Sequence, residues 1–152
     1  MSRWFVGMLG LLACVGGCQT VAAPEAEVQS VAVTQQTDDG ARVEVLLSVH
    51  NPNDFALPVR SAGYTVRLAE TSRFAFTDEP AVTLPPNASQ VLVLAAGFAA
   101  DDAIADAAGV RVTGHLRYQP PGDLRELLTE YHFPLPHIRF GERTTVEHLA
   151  DD

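Results

Sequence analysis

Between residues 42 and 50 the chain alternates strictly. Val43, Val45, Leu47 and Val49 fall on one side, with Glu44, Ser48 and His50 on the other. A period of two predicts a half-buried β-strand. Residues 110–118 repeat the pattern: Val110, Val112, Leu116 and Tyr118 point inward, Arg111, Thr113, His115 and Arg117 outward. Gly114 interrupts the inward side, which suggests a bulge or a close crossing of chains. Tyr64, Val66 and Leu68 make a third strand with Thr65 and Arg67 opposite. Residues 91–95, Val-Leu-Val-Leu-Ala, are apolar on both faces, as expected of a central strand covered on each side. Weaker strand patterns occupy 28–36, 73–77 and 143–148.

Turn chemistry separates these segments. Asp38-Asp39-Gly40 is a hairpin signal, Asn51-Pro52-Asn53-Asp54 ends the strand over 42–50, and Pro85-Pro86-Asn87 precedes 91–95. Two stretches depart from period two. Residues 101–109 open on Asp101-Asp102, run through alanines and close on Gly109, which predicts a short helix. Leu124, Leu127, Leu128 and Tyr131 are spaced i, i+3, i+4, i+7, which predicts a helical turn with Asp123 and Glu126 as a capping box. His132-Phe133-Pro134 stops it. About seven strands and one short helix predict an all-β fold, an antiparallel β-sandwich in a single domain over 28–150.

The amino terminus is different. Arg3 is the only charge in the first 24 residues and is followed by the apolar run 4–13, too short to span a bilayer. Val15-Gly16-Gly17-Cys18 resembles a bacterial lipobox, which makes 1–17 a lipoprotein signal peptide and Cys18 the lipidation site. Leu11-Leu12-Ala13-Cys14 fits the same pattern with a shorter apolar run, and an ordinary cleaved signal is the remaining alternative. Residues 18–27 then form the lipidated cysteine and a tether. Two or three acyl chains on one sulfur would hold the protein to a membrane. Gln19 after the cysteine implies the outer membrane, facing the periplasm, with the inner membrane left open.

Leu46-Leu47-Ser48-Val49-His50-Asn51-Pro52-Asn53 resembles the strand-then-Asn-Pro-Asn signature of the type-2 late embryogenesis abundant proteins, also called the WHy domain. Residues 57–68, 83–89 and 112–116 match its following segments in spacing. The resemblance implies a fibronectin-III/immunoglobulin-like sandwich and a role in desiccation and other stresses. Asn51, Pro52 and Asn53 themselves read as a structural turn: proline cannot extend a ladder, and asparagine side chains bond nearby backbone.

Composition narrows the chemistry. Ten arginines, no lysine and nineteen acids give a formal charge of −9, which argues against nucleic acid and against adsorption to anionic lipid. Without lysine there is no Schiff-base chemistry, and with both cysteines at positions 14 and 18 the mature chain has no catalytic thiol. His50, His115, His132, His137 and His148 show no metal-binding spacing. His50 and His115 sit outward on two strands, which reads as ordinary solvent exposure, the alternative being a meeting across a sheet. No phosphate loop or nucleophile elbow occurs. We therefore expect no catalytic residues, metal or cofactor. The expected partners are the membrane, through the lipid anchor, and either protein clients shielded under stress or one envelope protein docked by sheet edges and the Pro-rich segment 132–137.

Overall fold

The computed structural model describes residues 20–68, 72–99, 109–144 and 147–148. Cys14, Cys18 and most of the expected helix over 101–109 lie outside the described residues. Nine strands and one helix follow in order: β1 (Glu25–Thr37), β2 (Gly40–Asn51), β3 (Leu57–Leu68), β4 (Ser72–Asp78), β5 (Thr83–Leu84), β6 (Ala88–Ala99), β7 (Val110–Tyr118), α1 (Gly122–Glu130), β8 (His137–Thr144) and β9 (Glu147–His148). They form two sheets, β6-β2-β1-β9 and β4-β3-β7-β8 with β5 beside β3. All pairings are antiparallel except that of β9 with β1. The protein is an all-β sandwich.

The inward positions supply the core. Val43, Val45, Leu47 and Val49 of β2 face Val66, Val110, Val112 and Leu116 of the other sheet's strands, all fully or almost fully buried. β-Branched side chains suit this pleated, two-layered packing. Phe74 and Phe76 of β4 meet Phe98 of β6 edge-on, at centroid separations of 4.9 and 5.5 Å, and close one side of the sandwich. The Tyr64 hydroxyl reaches between the sheets and donates to the carbonyl of Ala95. Burial, and secondarily Asp78, raises the Tyr64 pKa to about 12, so this donor stays protonated.

Several expectations are corrected. The apolar run 91–95 belongs to β6, which lies at a sheet edge and not in the centre. Leu92 and Leu94 enter the core while Val91 and Val93 stay exposed, because only one face of the strand has a sheet packed on it. β1 starts at Glu25, three residues before the expected boundary, because Glu25, Ala26 and Glu27 pair with His50, Val49 and Ser48. A bulge between Val28 and Ser30 shifts its inward phase, so that Val28, Val31 and Val33 are buried and plain alternation is lost. The expected strand over 143–148 falls on the end of β8 and on β9, and β8 itself begins earlier, at His137, and turns Ile138 and Phe140 inward.

Gly114 marks a close crossing rather than a bulge. A Cβ there would stand 2.5 Å from the Phe140 ring, 2.7 Å from the Gly63 carbonyl and 2.8 Å from Tyr64 Cβ. The Phe140 ring, with the Gly63 carbonyl and Tyr64 Cβ, fills the place of a side chain.

α1 begins after Pro121 without a side-chain cap, and Asp123 lies inside its first turn, so Asp123 and Glu126 form no capping box. None of its residues is buried; Leu124, Leu127 and Tyr131 are exposed, as is Phe133 beyond it. Among the described residues no helix is long and apolar enough to cross a membrane.

Candidate functional site

The Asn-Pro-Asn segment sits at one pole, where β2 ends and the chain crosses to β3. Asn51 and Asn53 are the buried polar residues among those described. Burying an amide requires that its donors and acceptor be met. Asn51 Nδ2 donates to the carbonyls of Phe55 (2.8 Å) and Pro85 (3.1 Å), with Leu84 at 3.4 Å. Asn51 Oδ1 accepts from the Asn53 backbone N–H (3.1 Å) and from Asn53 Nδ2 (2.9 Å). Asn53 Nδ2 also donates to the Ala22 carbonyl (2.9 Å), and Asn53 Oδ1 accepts from the Ala22 N–H (2.8 Å). The Asn53 carbonyl accepts from Asn87 N–H at 2.8 Å. Pro52 is exposed between the two amides. These bonds join the end of β2, the β5–β6 turn and the segment ahead of β1, and leave no donor free for a ligand. The arrangement is a fastening.

The second site was not assembled from sequence. It is the outer face of the sheet β4-β3-β7-β8. In register across three strands stand Arg73, Arg67 and Arg111, and the next position on β8 is Arg143. Four residues along β7, His115 faces Arg139 across the pair, and Arg117 faces His137. Between these rows lie Thr65 and Thr113. Five of the ten arginines, Arg67, Arg73, Arg111, Arg117 and Arg139, thus stand exposed on one sheet, and among the described residues no outward position of these strands holds an acid. Directly opposed like charges destabilise a sheet. Among the described residues the ion pair is Arg42–Glu44, at 3.4 Å on the other sheet; the exposed arginines of this face have none.

Glycine shapes the floor. The His115 ring lies over Gly63, where a Cβ would stand 2.5 Å from Cε1. The resulting groove, about 560 Å³, is lined by Gly63, Thr77, His115, Arg117, His137 and Arg139. A smaller hollow of about 270 Å³ adjoins it between Thr65, Arg67, Arg73, Arg111 and Thr113. Partial burial, then the neighbouring Arg117, His137 and Arg139, push the His115 imidazole below its ordinary 6.5, so it is neutral at pH 7. His50 and His115 do not meet. His115 meets His137 at a centroid distance of 6.0 Å, whereas His50 lies in the other sheet, 3.2 Å from Ser89 Oγ. Arg67, Arg111, Arg117 and His115 were each legible as outward residues, but only register brings them together.

A two-layered sandwich fastened by the buried asparagines of an Asn-Pro-Asn turn defines the class of fold. The late embryogenesis abundant protein model, LEA_2, matches residues 46–137. The chain belongs to that family. In structure it is similar to a late embryogenesis abundant protein solved in solution (TM-score 0.58, 19% identity, covering 82% of this chain and 70% of that one). It is also similar to a structural-genomics target solved by X-ray diffraction (TM-score 0.53, 13% identity, covering 85% and 93%). At these identities the likeness is one of fold. No curated protein was found to match.

Proposed function

We propose that this LEA-type sandwich is a lipid-anchored envelope module, acting by binding rather than catalysis, that shields extended segments of other proteins when water is scarce. The observation that supports it is the edge of β6. Its twelve residues, ASQVLVLAAGFA, contain no charge and no proline, and Val91 and Val93 are 48% and 51% exposed. Proteins usually guard such an edge with charges, proline or a bulge. Along residues 88–98, no strand among the described residues pairs with the side of β6 away from β2. An extended segment added there would gain main-chain hydrogen bonds and two apolar contacts.

Anchoring through Cys18 in the outer membrane rests on the lipobox. With such an anchor, the Ala22–Asn53 bonds would fix the chain to the body only four residues after that cysteine. An intact mass of membrane-extracted protein should show a diacylated or triacylated species starting at Cys18; an unmodified, freely diffusible product overturns the anchor. For shielding, the protein should preserve a client enzyme through drying, and Val93→Arg should lose that protection without losing stability. Protection no better than an inert protein gives overturns it.

The adaptor reading has its own observation. Tyr131 and Phe133 stack at 6.3 Å, exposed beside Leu124 and Leu127 in the β7–β8 crossover. Recovery of one stoichiometric partner from unstressed cells, lost in Phe133→Ser, would favour docking of a specific protein over general shielding.

A further inference from the structure

We propose that the outer face of the sheet β4-β3-β7-β8 is a binding site for a ligand carrying two or more phosphate groups. One group would be held by Arg73, Arg67 and Arg111, another by Arg117 and Arg139 with His115 and His137. The inference is independent of the lipid anchor and of the β6 edge.

Three features carry it. The first is charge placement. In a chain of net charge −9, an unpaired row of arginines directly opposite one another is costly, and nothing in the packing requires it, since all their neighbours in the core are apolar. An anion in the groove removes that repulsion.

The second is valence. Adjacent strands lie about 4.8 Å apart, so Arg73, Arg67 and Arg111 span only about 10 Å. A carboxylate brings a single negative charge to three guanidinium groups, whereas a phosphate monoester brings up to about −2 and three acceptor oxygens. Guanidinium forks match phosphate oxygens in pairs, and the Thr65 and Thr113 hydroxyls lie between the two clusters as further donors.

The third is spacing. The arginine row and the His115–Arg139 row are four residues apart along β7, about 13 Å. One orthophosphate cannot reach both clusters, and a linear or two-headed phosphate ligand can. Apart from the two histidines, the outward positions of these strands hold no aromatic side chain on which bases could stack, which disfavours single-stranded nucleic acid.

The test uses full-length protein in neutral detergent, with linear polyphosphate titrated by calorimetry. Polyphosphate should bind roughly a hundredfold more tightly than orthophosphate, because one chain engages both clusters. The pair Arg67→Gln/Arg111→Gln should weaken it about tenfold, as should Arg117→Gln/Arg139→Gln, while Arg42→Gln on the other sheet leaves it unchanged. Thermal melts should show all three variants folded. Phosphatidylcholine vesicles containing cardiolipin, which carries two phosphates, distinguish the source: arginine-dependent capture assigns a lipid headgroup, and binding of polyphosphate alone assigns a soluble ligand. Equal affinity for poly-glutamate or an oligothymidylate of matched charge overturns the proposal. So does an equal loss in Arg42→Gln, which would mean net charge alone, or an unchanged affinity in both arginine pairs.

Discussion

The two outer faces of the sandwich share one core and differ in almost everything else. On the β6-β2-β1-β9 side, Arg42 is paired with Glu44, His50 lies against Ser89, and the edge is uncharged and apolar. On the β4-β3-β7-β8 side, arginines and histidines stand in rows without acids between them. The core constrains only alternate positions of each strand, so the other half of every strand is free to serve a surface. On the two proposals made above, one face would meet apolar or extended partners and the other anions.

The comparison breaks most severely at glycine. Gly114→Val places a side chain between Phe140, Tyr64 and the Gly63 carbonyl, and should cost about 3 kcal/mol or more, or prevent folding. Gly97→Val on β6, where nothing lies within 4 Å of the added Cβ, should change stability by less than about 0.5 kcal/mol. Urea unfolding of the two variants measures how differently the sheets are packed.

Asn51→Ala strikes both sheets at once. It removes a donor to the Phe55 and Pro85 carbonyls and the acceptor of two Asn53 bonds. A loss of about 2–3 kcal/mol is expected in the same assay, from buried groups left without partners. A loss below about 0.5 kcal/mol would mean that the pole is held some other way.

Arg67→Gln should stabilise the protein by about 0.2–1 kcal/mol at low salt, since it relieves like-charge contacts with Arg73 and Arg111. The gain should fade near 1 M salt, where the Debye length is about 3 Å. Arg42→Gln, which loses a partner, should show no such gain.

The smallest effect is a pH dependence. The folded state holds the His115 pKa below 6.5, so it binds this proton less readily than the unfolded chain does. Stability from this source is complete above about 6.5 and is lost as pH falls through the window down to the lowered folded value. Melting temperatures between pH 7.5 and 5 should therefore decline less steeply in His115→Gln than in the native protein.

Strand identity was largely legible because period two survives in β2, β3 and β7. It failed where a second fact was needed. A run that is apolar on both faces looks the same whether it is covered twice or lies open at an edge, and β6 proved the latter. β1 hid its phase behind a bulge, and β8 hid behind a proline-rich stretch. Helical spacing located α1 correctly but said nothing of whether Leu124, Leu127 and Tyr131 would find cover. The Asn-Pro-Asn turn is written in consecutive residues and could be read directly. The arginine face is written at alternate positions of four distant segments, and no local pattern reveals that Arg67, Arg73 and Arg111 share a row.

Ala22 gives both its N–H and its carbonyl to the single amide of Asn53. A tug arriving from the amino-terminal side would be borne by that paired contact and by the packing of Val21 on the core, before it could peel β1 away from β2. Two bonds to one planar group also resist swivelling far better than one would.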